Sequence, residues 1–186
     1  MEKEKPSLSK SSFVFLAIWF CLCSLLFFPF LKVVSVSNRK NPSQKILSRE
    51  AAVYGFVISY THSVNKGRVH DYYEIKRDGS LNLYQTEFVS YGAGIPEPEE
   101  IPGAVFKVTD TGYLISELNR NMNELAMFVG VIADHSIKIN KTETSEVMLN
   151  KYFAPQTSLS IKTKKINIFN YLLWRSKSKW MKTKLM

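Results

Sequence analysis

Hydrophobic and polar residues follow three different patterns along the chain. Residues 13–31 form an apolar run without a charged side chain, residues 51–139 alternate apolar and polar positions, and residues 166–174 form an apolar-aromatic run among lysines. Alternation with a period of two, interrupted by frequent turn residues, is typical of antiparallel strands. The pattern predicts an all-β fold, a single antiparallel β-sandwich or partly open barrel of about 7–9 strands, preceded by one N-terminal transmembrane helix.

Three strands are predicted in the first half of the alternating region, over residues 51–62, 69–76 and 81–90. A three-residue hairpin loop with Gly79 joins the second strand to the third and fixes which face each side chain takes. The shared apolar face then also carries polar side chains: Tyr60, His62, Asp71, Gln85 and Glu87. Because polar groups on an apolar face must be hydrogen-bonded or must face a ligand, a structural network, a small-ligand site and a metal site all stay open.

The second half of this region predicts a hairpin and two further strands. Residues 105–108 and 112–118 form the hairpin, residues 124–132 a strand, and Asp134-His135 begins a strand that ends near Ile139. Before the hairpin, Gly92 and Gly94 open a proline-rich acidic stretch, which predicts a long exposed connection. Its successive backbone N–H groups suit either an anion-binding nest or a tight turn.

The N-terminal apolar run predicts a membrane anchor. Its length approaches the roughly 20 apolar residues that cross a bilayer, and it exceeds the roughly 7–15 residues of a cleavable signal peptide. Ser35 and Ser37 leave cleavage open. We expect a single-pass cell-membrane protein with its β domain outside the cytoplasm. The predicted divisions are 1–11 cytoplasmic n-region, 12–34 signal anchor or transmembrane helix, 35–48 linker, 49–140 β domain and 141–186 basic C-terminal extension.

Charge is concentrated at the two ends of the chain. The formal net charge is +9, yet residues 41–150 carry ten basic and fourteen acidic side chains, whereas residues 151–186 carry nine basic side chains and no acidic one. A nucleic-acid-binding domain normally carries its basic patch on the folded body, so we expect no nucleic-acid partner. In the tail, aromatic residues among lysines suit an interfacial segment on anionic lipid, or a final strand or helix docked on the domain.

The sequence offers no catalytic or metal-binding motif. Both cysteines, Cys21 and Cys23, lie in the apolar run, so the body has no disulfide, cysteine ligand or thiol nucleophile. Adjacent pairs such as His70-Asp71 point to opposite faces of a strand, and Ser63 lacks the glycine-flanked elbow of a hydrolase. The histidines have no metal-binding spacing. We therefore predict neither an enzyme nor a cofactor or metal requirement.

Three motifs resemble, in order and spacing, the bacterial family known as domain of unknown function 1850. They are Tyr-Thr-His-Ser-Val at residues 60–64, Ser-Tyr-Gly-Ala-Gly-Ile-Pro at 90–96 and Ala-Asp-His at 133–135. The resemblance covers about Ala52 to Ile139. It implies an exported or membrane-anchored β domain, often encoded beside TAXI-type TRAP transporters, which are uptake systems for small carboxylic and amino acids. It assigns no catalytic residue.

The chain departs from the family pattern at Asn65 and Gln85, where the resemblance implies acidic residues, and Asp71 replaces a more usual glutamate. A ligand-binding or structural polar cluster is expected at Tyr60, Thr61, His62, Ser63, Asp71, Ser90, Gly92, Gly94, Asp134 and His135. The resemblance implies a non-catalytic, extracytoplasmic accessory of a TAXI-type TRAP system, in contact with the membrane and with the permease or its solute-binding protein. The alternative is a small-ligand or metal-binding module that uses the His62, Asp71 and His135 neighbourhood.

Overall fold

The computed structural model describes residues 10–90, 100–141 and 146–184. The chain divides into two compact units, of which the larger, the β body, is Lys32–Lys164, and the smaller combines Met1–Leu31 with Lys165–Met186. In chain order the elements are α1 (Lys10–Phe27), β1 (Leu31–Asn38), β2 (Lys45–Ser48), α2 (Arg49–Tyr54), β3 (Phe56–Thr61), β4 (Arg68–Ile75), β5 (Leu81–Phe88), β6 (Val105–Thr109), β7 (Gly112–Met122), β8 (Leu125–Phe128), β9 (Ser136–Ile139), β10 (Val147–Met148), a 3-10 turn (Leu149–Lys151), β11 (Ser158–Ile166) and α3 (Ile168–Lys184).

The strands form two antiparallel sheets that enclose an apolar core. The smaller sheet has the order β2-β1-β11-β8, and the larger has the order β10-β9-β3-β4-β5-β7-β6. Both sheets contribute buried side chains to one cluster, with Val34 and Ile161 from the smaller sheet and Phe56 and Leu81 from the larger. Side chains of period two from two facing sheets make a β-sandwich core, so the sandwich prediction is confirmed. The predicted number of 7–9 strands is too low, because the described residues form eleven.

The hairpin loops set the register as the sequence predicts. Gly79 has a positive φ of 95°, and its N–H donates to the Lys76 carbonyl at 3.0 Å. Tyr73 consequently pairs with Leu83, and Ile75 with Leu81. The later hairpin also forms as predicted, between β6 and β7.

The first predicted strand is wrong at its start, because residues 49–54 form helix α2. The Ser48 hydroxyl accepts a hydrogen bond from the Ala51 N–H at 3.0 Å, which caps the helix. Gly55 ends it with a φ of 78°, and a Cβ at this position would lie 2.2 Å from the Tyr73 carbonyl oxygen. The strand β3 therefore begins only at Phe56, where the backbone becomes extended.

The prediction that Gln85 and Glu87 face the core is also wrong. Pairing between β4 and β5 passes from Tyr73 with Leu83 to Tyr72 with Gln85, so Tyr84 is an extra residue in β5. One extra residue reverses the face of every side chain beyond it. Thr86 and Phe88 therefore face inward with Asp71 and Val69, and Gln85 and Glu87 lie on the opposite face of the sheet.

The β body extends further toward both chain ends than the predicted range 49–140. The strand β1 contributes Val34 and Val36 to the core, and β11 contributes Leu159 and Ile161. Residues 31–34, which the sequence predicts as the end of a membrane anchor, are therefore strand, and the helix α1 ends at Phe27. None of the helices in the described ranges 10–90, 100–141 and 146–184 is long and apolar enough to cross a membrane.

The smaller unit contains the helices α1 and α3, which meet at the C-terminal end of α1. The rings of Phe27 and Phe169 lie 5.6 Å apart, and the Asn167 side-chain amide donates to the Phe27 carbonyl at 3.2 Å. Asn167 also caps α3, since its side-chain oxygen accepts from the Asn170 N–H at 2.8 Å. These contacts fix where α3 begins relative to α1.

Candidate functional site

A partly buried carboxylate, Asp71, lies on the core-facing side of β4. It pairs with Ile58 of β3 and Thr86 of β5. The Thr86 hydroxyl donates to Asp71 Oδ1 at 2.7 Å, and the Tyr60 hydroxyl also hydrogen bonds to this carboxylate. Burial raises the pKa of Asp71 above its usual range, although Thr86, the charge of Arg120 and Tyr60 oppose the shift. Hydroxyl donors thus supply hydrogen bonds to Asp71, but burial still destabilises its ionised form.

Tyr60 connects Asp71 to His135. The Tyr60 and His135 rings are stacked, with centroids 5.6 Å apart and planes at 27°. Burial, together with the neighbouring charge of Asp71, raises the pKa of Tyr60 to about 12. The phenol is therefore a proton donor throughout the physiological range, and its hydrogen bond to the carboxylate persists.

The backbone on both sides of His135 holds its imidazole in place. The Gly130 N–H donates to His135 Nδ1 at 3.0 Å, and the His135 carbonyl accepts from the Leu149 N–H at 2.8 Å. Burial and the charge of Arg68 lower the pKa of His135. Because Nδ1 accepts a hydrogen bond, the neutral imidazole carries its proton on Nε2. A Cβ at position 130 would lie 2.7 Å from the Ala133 Cβ and 3.1 Å from His135 Cε1, so only glycine fits beside this ring.

His62 lies in the turn after β3, and its contacts differ from those of Asp71 and His135. Its Nδ1 faces the N–H groups of Val64 and Asn65 at 3.4 and 3.5 Å, and its own N–H donates to the Gly67 carbonyl at 2.9 Å. The structure thus brings Asp71 and His135 together through Tyr60, whereas the described contacts of the His62 imidazole lie within its own turn. Thr61 links this turn to the β8–β9 connection, because its N–H donates to the Ala133 carbonyl at 2.7 Å.

The other predicted cluster residues contribute mainly backbone atoms. The Ser63 carbonyl accepts from Lys66 Nζ at 2.6 Å, and the Ser90 carbonyl accepts from the Asn65 side chain at 2.9 Å. Asn65 also accepts from the Gly67 N–H at 3.0 Å, so the residue that departs from the family pattern bridges two loops.

Asp134 has a positive φ of 46°, and its carbonyl accepts from Arg68 Nη1 at 2.8 Å. Gly92 and Gly94 lie outside the described residues.

A second polar network, which sequence reasoning missed, lies on the other face of the larger sheet. The register places Ser136, Ser59 and His70 in one row across β9, β3 and β4. Ser59 Oγ and His70 Nδ1 lie 2.7 Å apart. Arg68 Nη2 donates to Ser136 Oγ at 2.7 Å and to Glu146 Oε1 at 3.1 Å, and the Ser136 hydroxyl also donates to Glu146.

This second network is closed to solvent at its centre. Ser59 is 1% exposed and Ser136 is fully buried. Burial and the charge of Arg68 lower the pKa of His70, and the hydrogen bond from Ser136 lowers the pKa of Glu146. The Ser59–His70 pair therefore resembles a nucleophile and base by distance, but the serine is buried.

The described residues of the two networks do not form a metal site. No group of three or more His, Cys, Asp or Glu side chains within the described parts of the chain is placed to hold a metal ion. The group formed by Tyr60, Asp71 and His135, here called the inner cluster, can therefore offer hydrogen bonds and charge, from one phenol, one carboxylate and one imidazole.

Comparison with known protein families gives a match for part of the chain. Residues 56–145 match the family described as Domain of unknown function (DUF1850). The matched segment begins with β3 and includes Tyr60, Asp71 and His135, and it supports the domain family that the three motifs resemble. Neither the curated proteins nor the solved structures include a significant match to the chain.

Proposed function

We propose that the protein is a membrane-attached domain held outside the cytoplasm, where it assists a TAXI-type TRAP solute uptake system without catalysing a reaction. The observation that carries membrane attachment is the exposure of α1. Nine large apolar side chains of this helix are each more than 40% exposed: Phe13, Val14, Phe15, Leu16, Ile18, Trp19, Phe20, Leu26 and Phe27. Burial of such a side chain is worth about 1.5–3 kcal/mol, so a helix that exposes nine of them to water is strongly disfavoured.

The helix α1 is not long and apolar enough to cross a membrane by itself, but the uncharged segment continues beyond it, and the charges on both sides support insertion of the whole segment into a bilayer. Residues 11–31 contain no charged side chain, whereas Lys10 precedes them and Lys32 follows. In the body, Lys32 is held by the turn between β4 and β5, where its Nζ donates to the Lys76 carbonyl at 3.2 Å. The transition from an uncharged segment to a polar, hydrogen-bonded body therefore falls within a few residues of Leu31.

The accessory role rests on the domain family, and the lack of catalysis rests on the two networks. The resemblance of the three motifs points to TAXI-type TRAP systems. Among the described contacts, the serine–histidine pair is the buried Ser59 with His70, and the inner cluster pairs Asp71 with hydroxyl donors. Both arrangements favour structural support or recognition over nucleophilic chemistry.

The test is solute uptake in cells that carry this protein and a TAXI-type TRAP system. Deletion of the gene should lower the uptake rate, and the wild-type gene should restore it. A variant in which residues 1–31 are replaced by an unrelated single-pass anchor should also restore uptake. A variant in which they are replaced by a cleavable signal peptide should restore it poorly. Uptake that is unchanged by the deletion would contradict the accessory role.

A small-ligand-binding function is the second candidate, and the partly buried charge of Asp71 favours it. A purely structural network has no need for a carboxylate whose ionised form is destabilised by burial. If Asp71 recognises a ligand, Asp71→Asn should preserve the fold and abolish uptake. If Asp71 is structural, the same variant should keep uptake at the wild-type rate.

A further inference from the structure

The position of α3 follows from its contacts with α1. The ring contact between Phe27 and Phe169 and the hydrogen bond from Asn167 to the Phe27 carbonyl place the first turn of α3 beside the last residue of α1. If α1 enters the bilayer, its C-terminal end marks the level at which the chain leaves the membrane. The first turn of α3 then lies at the same level, where apolar chains meet lipid headgroups.

The exposed surface of α3 is amphipathic, as expected for a helix at the boundary between lipid chains and headgroups. Phe169, Leu172 and Leu173 are separated by three and four positions, so they share one face of the helix, and all three are more than 40% exposed. Arg175 follows Leu172 by three positions and Lys177 follows Leu173 by four, so a cation borders the apolar face on each side. An apolar stripe bordered by cations is the pattern of helices that lie in the interface of an anionic membrane.

We infer that α3 is a second attachment point, which lies on the outer surface of an anionic bilayer with Phe169, Leu172 and Leu173 buried among the lipid chains. The inference rests on the proposed membrane attachment through α1, and it adds that α3 binds the lipid surface. Charge complementarity selects lipid headgroups as that partner, because α3 carries five basic side chains and no acidic one. A second copy of the same positively charged helix would be repelled.

A fluorescent label at position 172 tests the inference in the full chain. The two natural cysteines, both in α1, are replaced by serine, and Leu172→Cys is labelled with an environment-sensitive fluorophore. The protein is then reconstituted into phosphatidylcholine vesicles with or without phosphatidylglycerol. We expect blue-shifted emission in the anionic vesicles, a smaller shift in the zwitterionic vesicles, and reversal at high salt. Val108→Cys, an exposed apolar position of the β body, should give solvent-like emission in both.

Charge variants provide the second readout. Arg175→Gln and Lys177→Gln should each weaken the association of the labelled helix with anionic vesicles by about fivefold. The matched variants Lys107→Gln and Lys151→Gln, which remove exposed cations of the body, should leave it unchanged. Emission at position 172 that is solvent-like in both lipids would overturn the inference, as would a shift that depends on protein concentration and not on lipid charge.

Flotation of the vesicles distinguishes failure of the membrane attachment from failure of the assignment of α3 to the membrane surface. Protein that does not float with vesicles of either composition contradicts the membrane attachment itself. Protein that floats while its label at position 172 remains solvent-like contradicts only the assignment of α3.

Discussion

The hydroxyl of Thr86 should contribute more to stability than an ordinary hydrogen bond, because it donates to the partly buried carboxylate of Asp71 at 2.7 Å. A hydrogen bond to a charged group contributes about 1.5–3 kcal/mol, whereas one between neutral groups contributes about 0.5–1.5 kcal/mol. Thr86→Val keeps the shape of the side chain and removes only the donor. We therefore expect Thr86→Val to lower the free energy of unfolding at pH 7 by about 1.5–3 kcal/mol.

The same substitution in the Asp71→Asn background isolates the charge. There it should cost only about 0.5–1.5 kcal/mol, since the acceptor is a neutral amide oxygen. Asp71→Asn alone should stabilise the protein at pH 7, because burial raises the pKa of Asp71 and its ionisation therefore opposes folding. The folded state holds the proton more tightly than the unfolded chain, so the wild type should lose stability relative to Asp71→Asn as the pH rises from about 4.

Urea unfolding of the full chain in a nonionic detergent, followed by near-ultraviolet circular dichroism, measures these differences. Thr109→Val, an exposed position of β6, is the matched control and should change the free energy of unfolding by less than about 0.5 kcal/mol. Equal costs of Thr86→Val in the two backgrounds would refute the reasoning, since they would mean that Thr86 does not sense the charge of Asp71.

Two further variants test the core and the second polar network, the outer network of Ser59, His70 and Ser136. Phe56→Ala should lower the free energy of unfolding by about 3–5 kcal/mol, because Phe56 is fully buried and stacks on Tyr73 at 5.0 Å; a loss below about 1 kcal/mol in urea unfolding would contradict the assigned core. His70→Gln should flatten the loss of stability on acidification, because the pKa of His70 is lowered in the folded state and the unfolded chain takes up the extra proton below about pH 6.5. The residual slope should combine a loss from His135, whose pKa is also lowered, with an opposing gain from Asp71, whose pKa is raised, and an unchanged slope between pH 7 and 5 would show that His70 titrates as in the unfolded chain.

The strands and hairpins of the larger sheet could be predicted because their signals are local. The alternation of Val69, Asp71 and Tyr73 shows which side chains of β4 share one face. The turn at Gly79 fixes the register of the hairpin, and so determines which side chains at the start of β5 lie on the same face. The Tyr60 and Asp71 side chains were correctly placed on the inner face for the same reason.

The bulge at Tyr84 could not be predicted in this way. Nothing in the sequence of β5 itself marks the extra residue, since a bulge is set by how the neighbouring strands twist and pair. Opposite Tyr84, the pairing of β7 jumps from Ser116 to Arg120, and Glu117 and Asn119 adopt positive φ values of 62° and 48°. The faces of Gln85 and Glu87 depend on this long-range pairing.

The outer network and the smaller sheet were missed for related reasons. Ser59, His70 and Ser136 are far apart in sequence and meet only when β9, β3 and β4 are aligned, which the alternation of each strand does not specify. The strand β1 directly follows an apolar run, so Val34 and Val36 read as its continuation. The strand β11 lies between polar and lysine-rich segments. Leu159 and Ile161 are its two core residues, and this alternation is too short to indicate a strand by itself.

The most direct test of the account is the side of the membrane on which the β body lies. After replacement of Cys21 and Cys23 by serine, a single cysteine is introduced at Ser43→Cys, an exposed position between β1 and β2, or at Ser7→Cys, before α1. Intact protoplasts are treated with a membrane-impermeant maleimide. The account predicts labelling at position 43 in intact protoplasts and labelling at position 7 only after lysis. Protection of position 43 until lysis would contradict the placement of the body outside the cytoplasm.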